Sequence, residues 1–314
     1  MVTLTNRFPP EGRLLHTPEN QAACADPEGL RQAMESGAVL EGTALLCTPE
    51  HDLIVSLGSF RGVIPREEAA LGIAEGVTRD IAILSRVGKP VCFTVTALEE
   101  EDGRLRPLLS RRAAQQQALA AMLEEWRPGQ VIPARVTHLE PFGAFVDVGC
   151  GVPSLIGVEN ISVSRIPHPA VRFRVGQEIF AAVLDLDPAL GRIYLTHKEL
   201  LGTWAENAAP FRTGMTVPGV VRGVKDYGVF VELTPNLSGL AERDPRLTEG
   251  TRISVYLKAI LPERMKIKLL AIELLPPLAT PQPMHYFIQE GRLEHWKYAP
   301  PGCVKVGAET IFGD

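Results

Sequence analysis

The chain has 314 residues, 45% of them hydrophobic and 22% charged, with a formal net charge of −5. That length supports two or three domains with packed cores, and no apolar run approaches the roughly 20 residues of a membrane span. The opening MVTLTNRFPPEG lacks the basic-then-apolar pattern of a secretory signal. The five cysteines stand far apart with no CxxC pair, which argues against a zinc site or a disulfide framework and for a reducing cytoplasm.

Charge is unevenly spread. Residues 1–125 carry 12 Lys and Arg against 18 Asp and Glu, residues 126–200 carry 7 against 7, and residues 211–275 carry 10 against 7. A net-acidic chain does not advertise a nucleic-acid partner, but the acid lies in the N-terminal third and the C-terminal part is locally basic.

Residues 1–36 contain Pro9, Pro10, Pro18 and Pro27 with little periodicity. They are expected to be a flexible arm, with PEGLRQAMESG as a short helix closed by Gly37. Residues 37–112 show short apolar runs between turn residues: GTALLCT, DLIVSLG, SFRGVIP, VCFTVTAL and GRLRPLLSRR, with EEEDG as an acidic hairpin turn and 67–88 as a long connection. RRAAQQQALAAMLEEW has the strongest helical composition. Leu119, Met122, Leu123 and Trp126 fall at helical spacing, so residues 113–126 read as a connector helix laying that stripe on a barrel.

Residues 127–204 hold the clearest pattern. Five runs rich in Val, Ile and Phe, at 131–138, 142–148, 154–158, 178–187 and 191–196, are bounded by Gly, Pro or Asp. A stretch with Pro167, Pro169, Arg172 and Arg174 separates the third from the fourth. Five short strands with one long connection there predict a small closed barrel of the OB type, on which single-stranded nucleic acid lies across strands two and three. The pattern returns over 211–275 with the connection trimmed. Strand two of the three copies aligns Ile54, Phe145 and Phe230, at intervals of 91 and 85 residues. The expected fold is all-β: three tandem five-stranded OB-fold barrels, beads on a string joined by a helix and short linkers, with a small C-terminal β-rich tail. That tail, residues 276–314, opens with the proline-rich linker PPLATPQP and carries Tyr286, Phe287, Trp296 and Tyr298. It reads either as a meander packed on the third barrel or as an aromatic binding surface.

The run GQVIPARVTHLEPFGAFVDVG, the later ENIS, and VGQEIFAAVLDLDPALGRIYLTHKEL resemble the S1 RNA-binding domain over its whole course. VVRGVKDYGVFVEL with PNLSGLAE is similar to a C-terminal repeat of bacterial proteins related to ribosomal protein S1. The resemblance implies an RNA face of two strand-two aromatics, a strand-three polar residue, and an Asp and a basic residue around the turn before strand five. Carried over, these are Phe142, Phe145, Asn160 in place of the family's His, Asp187 and Arg192. Tyr194, two residues after Arg192, shares its face. In the third copy the positions hold Tyr227, Phe230 and Lys266, with Glu242 and Pro262 at the His and Asp places. In the first copy His51 and Ile54 stand where the aromatics would be.

Bases present a flat π-face whatever their identity, so exposed Phe and Tyr beside Arg and Lys suit sequence-tolerant binding of single strands. A strict period of two would put Phe142 and Phe145 on opposite faces, and the competing reading places both in the core. A bulge at Gly143 would bring them together, and the recurrence of aromatic-Gly-x-Phe at 227–230 favours that. His138 and His168 read as isolated. Asp185 and Asp187 share a strand face with no His beside them, and GCG at 149–151 is a turn rather than a phosphate loop. No metal, cofactor or catalytic triad is expected.

The resemblance implies a non-catalytic, cytoplasmic protein that binds single-stranded RNA, mRNA in particular, during translation and docks on the small ribosomal subunit through its N-terminal barrel. Two readings compete. One is a ribonuclease, for which barrels, arm and tail leave no catalytic domain. The other is an adaptor in RNA metabolism whose main partner is protein, favoured by the acidic N-terminal third and opposed by the aromatic pairs.

Overall fold

The structure, a computed structural model, describes residues 7–101, 103–277 and 283–313. Residues 1–6 of the arm, Asp102 of the acidic run and residues 278–282 of the proline-rich linker lie outside the described residues.

Three closed five-stranded barrels account for most of the chain. The first is built from β1 (Leu40–Cys47), β2 (Leu53–Leu57), β3 (Phe60–Ile64), β4 (Pro90–Glu101) and β5 (Arg104–Ser110), in the order β1-β2-β3-β5-β4. The second comprises β6 (Val131–Glu140), β7 (Gly143–Asp147), β8 (Pro153–Gly157), β9 (Glu178–Asp187) and β10 (Arg192–Thr196). The third comprises β11 (Thr216–Lys225), β12 (Gly228–Thr234), β13 (Leu237–Ala241), β14 (Arg252–Leu261) and β15 (Lys266–Leu274). In each, the third and fifth strands pair in parallel while the fourth and fifth form a long antiparallel hairpin, which is the OB arrangement. Period-two alternation closes each interior: Leu53, Val55 and Leu57 on β2, or Ile253, Val255 and Leu257 on β14, point inward and are buried.

The three barrels are not three separate beads. The chain divides into two compact units, one comprising residues 1–126 with 133–135 and 147–153, the other the remainder.

In the first unit, residues 7–36 of the stretch expected as a flexible arm are folded. Helix α1 (Pro18–Ala25) is capped by Thr17, whose hydroxyl accepts the Asn20 N–H, and α2 (Pro27–Ser36) by Asp26, which accepts the Gly29 N–H. Gly37, at φ 64° in the left-handed region, closes α2 as its sequence implied. Leu30, Cys24 and Ala33 join the apolar core of the first barrel. Ahead of these helices Glu11 is buried, taking N–H bonds from Arg111 at 2.6 and 3.0 Å and from the Cys92 amide at 3.1 Å. A short helix, Ile81–Leu84 (α3), lies in the long connection. The acidic run is strand as far as Glu101, with Glu99 paired across the ladder to Arg106, and the β4–β5 hairpin closes between Glu101 and Arg104 as expected. Helix α4 (Arg111–Glu125) is N-capped by Ser110 and packs on β4. Its buried stripe is Arg111, Ala114, Gln115, Ala118 and Met122; of the expected stripe Met122 and Trp126 are buried while Leu119 and Leu123 are half-buried, the small alanines letting the helix approach the sheet closely.

In the second unit the central and third barrels share one apolar cluster, which includes Ala182, Leu200 and Trp204 together with Val221, Val231 and Ile253. Trp204 opens the short helix α5 (Trp204–Ala208), whose N-terminus is a capping box of Thr203 and Glu206. Backbone and amide bonds stitch the seam. The Ser164 N–H donates to the Pro235 carbonyl at 3.1 Å, and the Val163 N–H to Asn236 Oδ1 at 2.9 Å. Asn236 Nδ2 donates to the Lys198 and Gly202 carbonyls, both at 2.8 Å. The tail packs on both barrels rather than on the third alone. Trp296, Tyr298 and Phe312 are buried in the shared cluster, and the strands β16 (His295–Lys297) and β17 (Glu309–Ile311) pair antiparallel. Tyr298 donates its hydroxyl proton to the Asn236 carbonyl, and the Tyr286 ring meets Phe180 and His197 edge-on, each at 5.4 Å.

Candidate nucleic-acid interface

The two central aromatics stand on the same side of the barrel. Phe142 is 56% exposed, Phe145 is half-buried, and their rings meet edge to face with centroids 6.0 Å apart at 89°. The period-two objection disappears because β7 begins at Gly143, leaving Phe142 in the preceding turn rather than on the strand. The missing Cβ of Gly143 admits the neighbouring strand, since a Cβ there would stand 2.5 Å from the Ile156 carbonyl oxygen. The third barrel repeats the arrangement. Tyr227 is 71% exposed, Phe230 is half-buried, and their centroids lie 6.1 Å apart at 89°. Gly228 again meets a carbonyl, that of Ala241, at 2.6 Å from a built Cβ, and holds φ at 152°. Edge-to-face pairing contributes about 0.5–1.5 kcal/mol and fixes each exposed ring against its half-buried partner.

From the aromatics a strip runs across the outer face. In the central barrel Leu155 on β8 pairs with Tyr194 on β10, and Arg192 and Tyr194 are both exposed around the buried Ile193. In the third barrel the ladder gives a full row: Gly223, Phe230, Leu240 and Lys268 are successive partners on β11, β12, β13 and β15. Lys268 therefore occupies the place of Tyr194, and Lys266 that of Arg192. Sequence reasoning named Lys266 and passed over Lys268, although the alternation along β15 puts both on one face. It also set His138 aside as isolated, whereas its ring lies 6.3 Å from that of Phe145.

The remaining expected residues have local partners. Asn160 is not on strand three but ends a 3₁₀ turn after β8, and its Oδ1 accepts from Lys198 Nζ at 2.7 Å. Asp187 shapes the β9–β10 hairpin, its carboxylate accepting the Leu190 N–H at 2.9 Å. Glu242 in the third barrel is ion-paired with Lys258 at 3.1 Å, and Pro262 starts a 3₁₀ turn.

The first barrel carries an aliphatic row where the others carry aromatics. Leu46, Ile54, Val63 and Leu108 are successive ladder partners. Leu45 and Leu46 are 43% and 44% exposed. His51, at the first aromatic position, adopts φ 70° and has its Nδ1 3.4 Å from Asp80.

Two buried titratable sites lie off these faces. His197 is fully buried, hydrogen-bonded to the Ile161 carbonyl at 2.7 Å and the Tyr286 hydroxyl at 3.0 Å. Burial drives it down to about 4, against the Ile161 bond and with Arg172 adding to the push. Asp147 accepts the amides of Glu11, Gly149 and Gly151. Burial and the Glu11 charge raise it to about 7, outweighing those bonds and Arg111. Among the described residues no cluster of three or more His, Cys, Asp or Glu is placed to hold a metal ion, and no helix is long and apolar enough to cross a membrane.

Three closed barrels of this topology, two with a matched outward aromatic pair, define a tandem OB-fold protein. Residues 125–198, which contain the central barrel, match the family model described as the S1 RNA binding domain. The chain is similar to small ribosomal subunit protein bS1. It is 34% identical over 239 residues to that protein of Leuconostoc lactis, covering 70% of this chain and 54% of the relative. It is 31% identical over 228 residues to that of Neisseria meningitidis serogroup B, covering 71% and 39%. The chain thus spans about half the length of the curated relatives it matches. Among solved structures, a multidomain protein with nucleic acid binding domains from Streptococcus pneumoniae TIGR4 aligns at 14% identity with a TM-score of 0.26, covering 75% of this chain and 73% of that one.

Proposed function

We propose that the central and third barrels bind single-stranded RNA, mRNA in particular, without catalysis, and that the first barrel docks on protein at the small ribosomal subunit. The observation that carries the RNA part is the duplicated aromatic pair, set at 6.0 and 6.1 Å and both at 89° in two barrels of different sequence. Core packing alone does not require an outer ring that is more than half exposed in each copy. The strip from Phe142 and Phe145 to Tyr194 and Arg192 offers stacking planes and a cation. The third barrel offers Tyr227, Phe230, Lys266 and Lys268. In this reading Asn160 and Asp187 hold the edges of the face through Lys198 and the hairpin.

The docking part rests on the aliphatic row of the first barrel. Such a row offers no stacking plane and no cation, but Leu46 within it and the neighbouring Leu45 are exposed and suit an apolar patch on a protein partner. The two parts separate in one experiment on the full chain, with titration of labelled oligouridine in one arm and co-sedimentation with small subunits in the other. Phe145→Ala weakens RNA binding by roughly 1–3 kcal/mol, the worth of one stacked base, and leaves co-sedimentation intact when RNA is removed by nuclease. Leu46→Asp does the reverse. Unchanged RNA affinity in a folded Phe145→Ala protein returns the ring to the core. Unchanged sedimentation of Leu46→Asp removes the docking face.

A further inference from the structure

Beside the aromatic row of the third barrel the ladder forms a second row. Arg252 on β14, Val220 on β11 and Glu232 on β12 are successive partners. Glu232 shares the outer face of β12 with Phe230, two residues or about 7 Å along the strand. These residues line a cavity of about 190 Å³ together with Arg222 on β11 and Arg172 from the long connection of the central barrel. Arg172 and Glu232 are 6% and 7% exposed.

The charges here do not balance. Among the described residues Glu232 is the one carboxylate lining the cavity, against three guanidinium groups, which leaves two positive charges in excess. Its two oxygens are taken by Arg172 Nη1 at 2.8 Å and Nη2 at 2.5 Å, and by Arg222 Nε and Nη2, both at 3.1 Å. A guanidinium has five N–H donors in a fixed fork. Arg172 gives one more to Ser162, and Arg252 gives one to the Pro276 carbonyl at 3.2 Å. Several donors on each arginine thus remain without a partner among the described residues. A structural ion pair needs one arginine per glutamate, whereas two held on one glutamate with a third lining the same pocket make a site for an anion with several acceptor oxygens.

We propose that this pocket is a phosphate subsite for the RNA strand, receiving a backbone phosphate next to a base stacked on Tyr227 and Phe230. The inference rests on the RNA-binding reading above. Glu232 holds Arg172 and Arg222 in their orientation and lowers the net charge, so the phosphate is held reversibly. Because Arg172 comes from the central barrel's connection, the pocket also fixes where a strand leaving the third barrel's aromatic row runs along the second unit.

The test titrates the full chain with labelled oligouridine over a series of salt concentrations. Arg252→Gln removes an arginine outside the buried pairs. It is expected to weaken binding about tenfold and to lower the slope of log affinity against log salt by about 0.7, the value for one single-strand phosphate. Glu232→Gln leaves the positive charges uncompensated and is expected to tighten binding. If that variant fails to fold, Arg252→Gln decides alone. Replacing chloride by inorganic phosphate at constant ionic strength should compete with RNA in the wild type more than in Arg252→Gln. An unchanged affinity and slope in Arg252→Gln, with wild-type binding present and lost in Phe230→Ala, overturns the pocket and leaves the RNA reading standing. Absence of wild-type RNA binding overturns both. Phosphate that stabilises the wild type but does not compete with RNA assigns the pocket to a free anion and overturns the strand assignment.

Discussion

At the scale of single residues, Phe142, Phe145, Tyr227 and Phe230 were legible because a short motif recurs in register, and recurrence survives ignorance of which way a side chain points. The means of bringing them together was not legible. A turn residue placed before the strand looks the same in sequence as a bulge within it. The charge partners were also hidden. Glu242, at the family's His position, would by itself repel phosphate, but Lys258 lies 3.1 Å away from a distant strand, and Lys268 adds a cation to the same outer face. Glu242→Gln should change oligouridine affinity less than twofold, since an exposed ion pair is worth at most about 1 kcal/mol and both states are near neutral. Lys268→Ala should weaken binding and flatten the salt dependence by about 0.7. A large gain in affinity for Glu242→Gln would mean that Lys258 does not screen it in solution.

At the scale of elements, strands were read more easily than helices and tail. A barrel strand announces itself locally, through alternation between turn residues, and all three barrels closed as that grammar requires. The arm and tail carry no such period. Their order comes from distant partners: Leu30 in the first barrel's core, Glu11 against Arg111, and Trp296 and Tyr298 in the cluster shared by two barrels. No local window contains both halves of such a contact. Helix α4 shows the same limit, because its composition gave the helix while the buried face depended on which neighbour it met. If the arm is integral to the first unit, Leu30→Ala should destabilise that unit by about 2–5 kcal/mol, as expected for truncating a fully buried leucine. Urea unfolding followed by amide exchange on β1 and β4 measures this. Protection unchanged by the substitution would show an arm that is laid on the barrel rather than built into it. A fragment beginning at Arg111 is correspondingly a poor probe of RNA binding, since it strands that arginine from Glu11.

At the scale of the whole molecule, two buried groups tie stability to pH with opposite signs. His197, beside β10, has a folded value of about 4 against 6.5 for a free imidazole. The unfolded chain therefore binds the proton more readily, and the stability that neutral His197 contributes is complete above about pH 6.5 and is lost as pH falls toward 4. The loss is roughly 2–3 kcal/mol by pH 4.5, at 1.36 kcal/mol per unit. Asp147, at the end of β7, has a folded value of about 7 against 3.8. Here the folded chain binds the proton more readily, so stability rises as pH falls from about 7 toward 4, and ionisation above 7 costs stability. Neighbouring groups complicate the total: burial also raises Glu41, while Arg111 and Arg86 overcome burial to hold Glu11 below the usual carboxylate range. Differences between variant and wild type isolate each contribution, because the other groups are common to both. His197→Gln gives up contacts to Ile161 and Tyr286 and is less stable at pH 7.5, but its deficit should shrink by roughly 2–3 kcal/mol at pH 4.5, where the wild type has lost the histidine's contribution. Asp147→Asn should move the other way, comparing best with the wild type at pH 8 and worst at pH 4.5. Chemical denaturation at the three pH values supplies both curves. Gaps that do not change with pH would mean that neither group titrates in this window, and that the burial of His197 and Asp147 is relieved by water entry before protonation can matter.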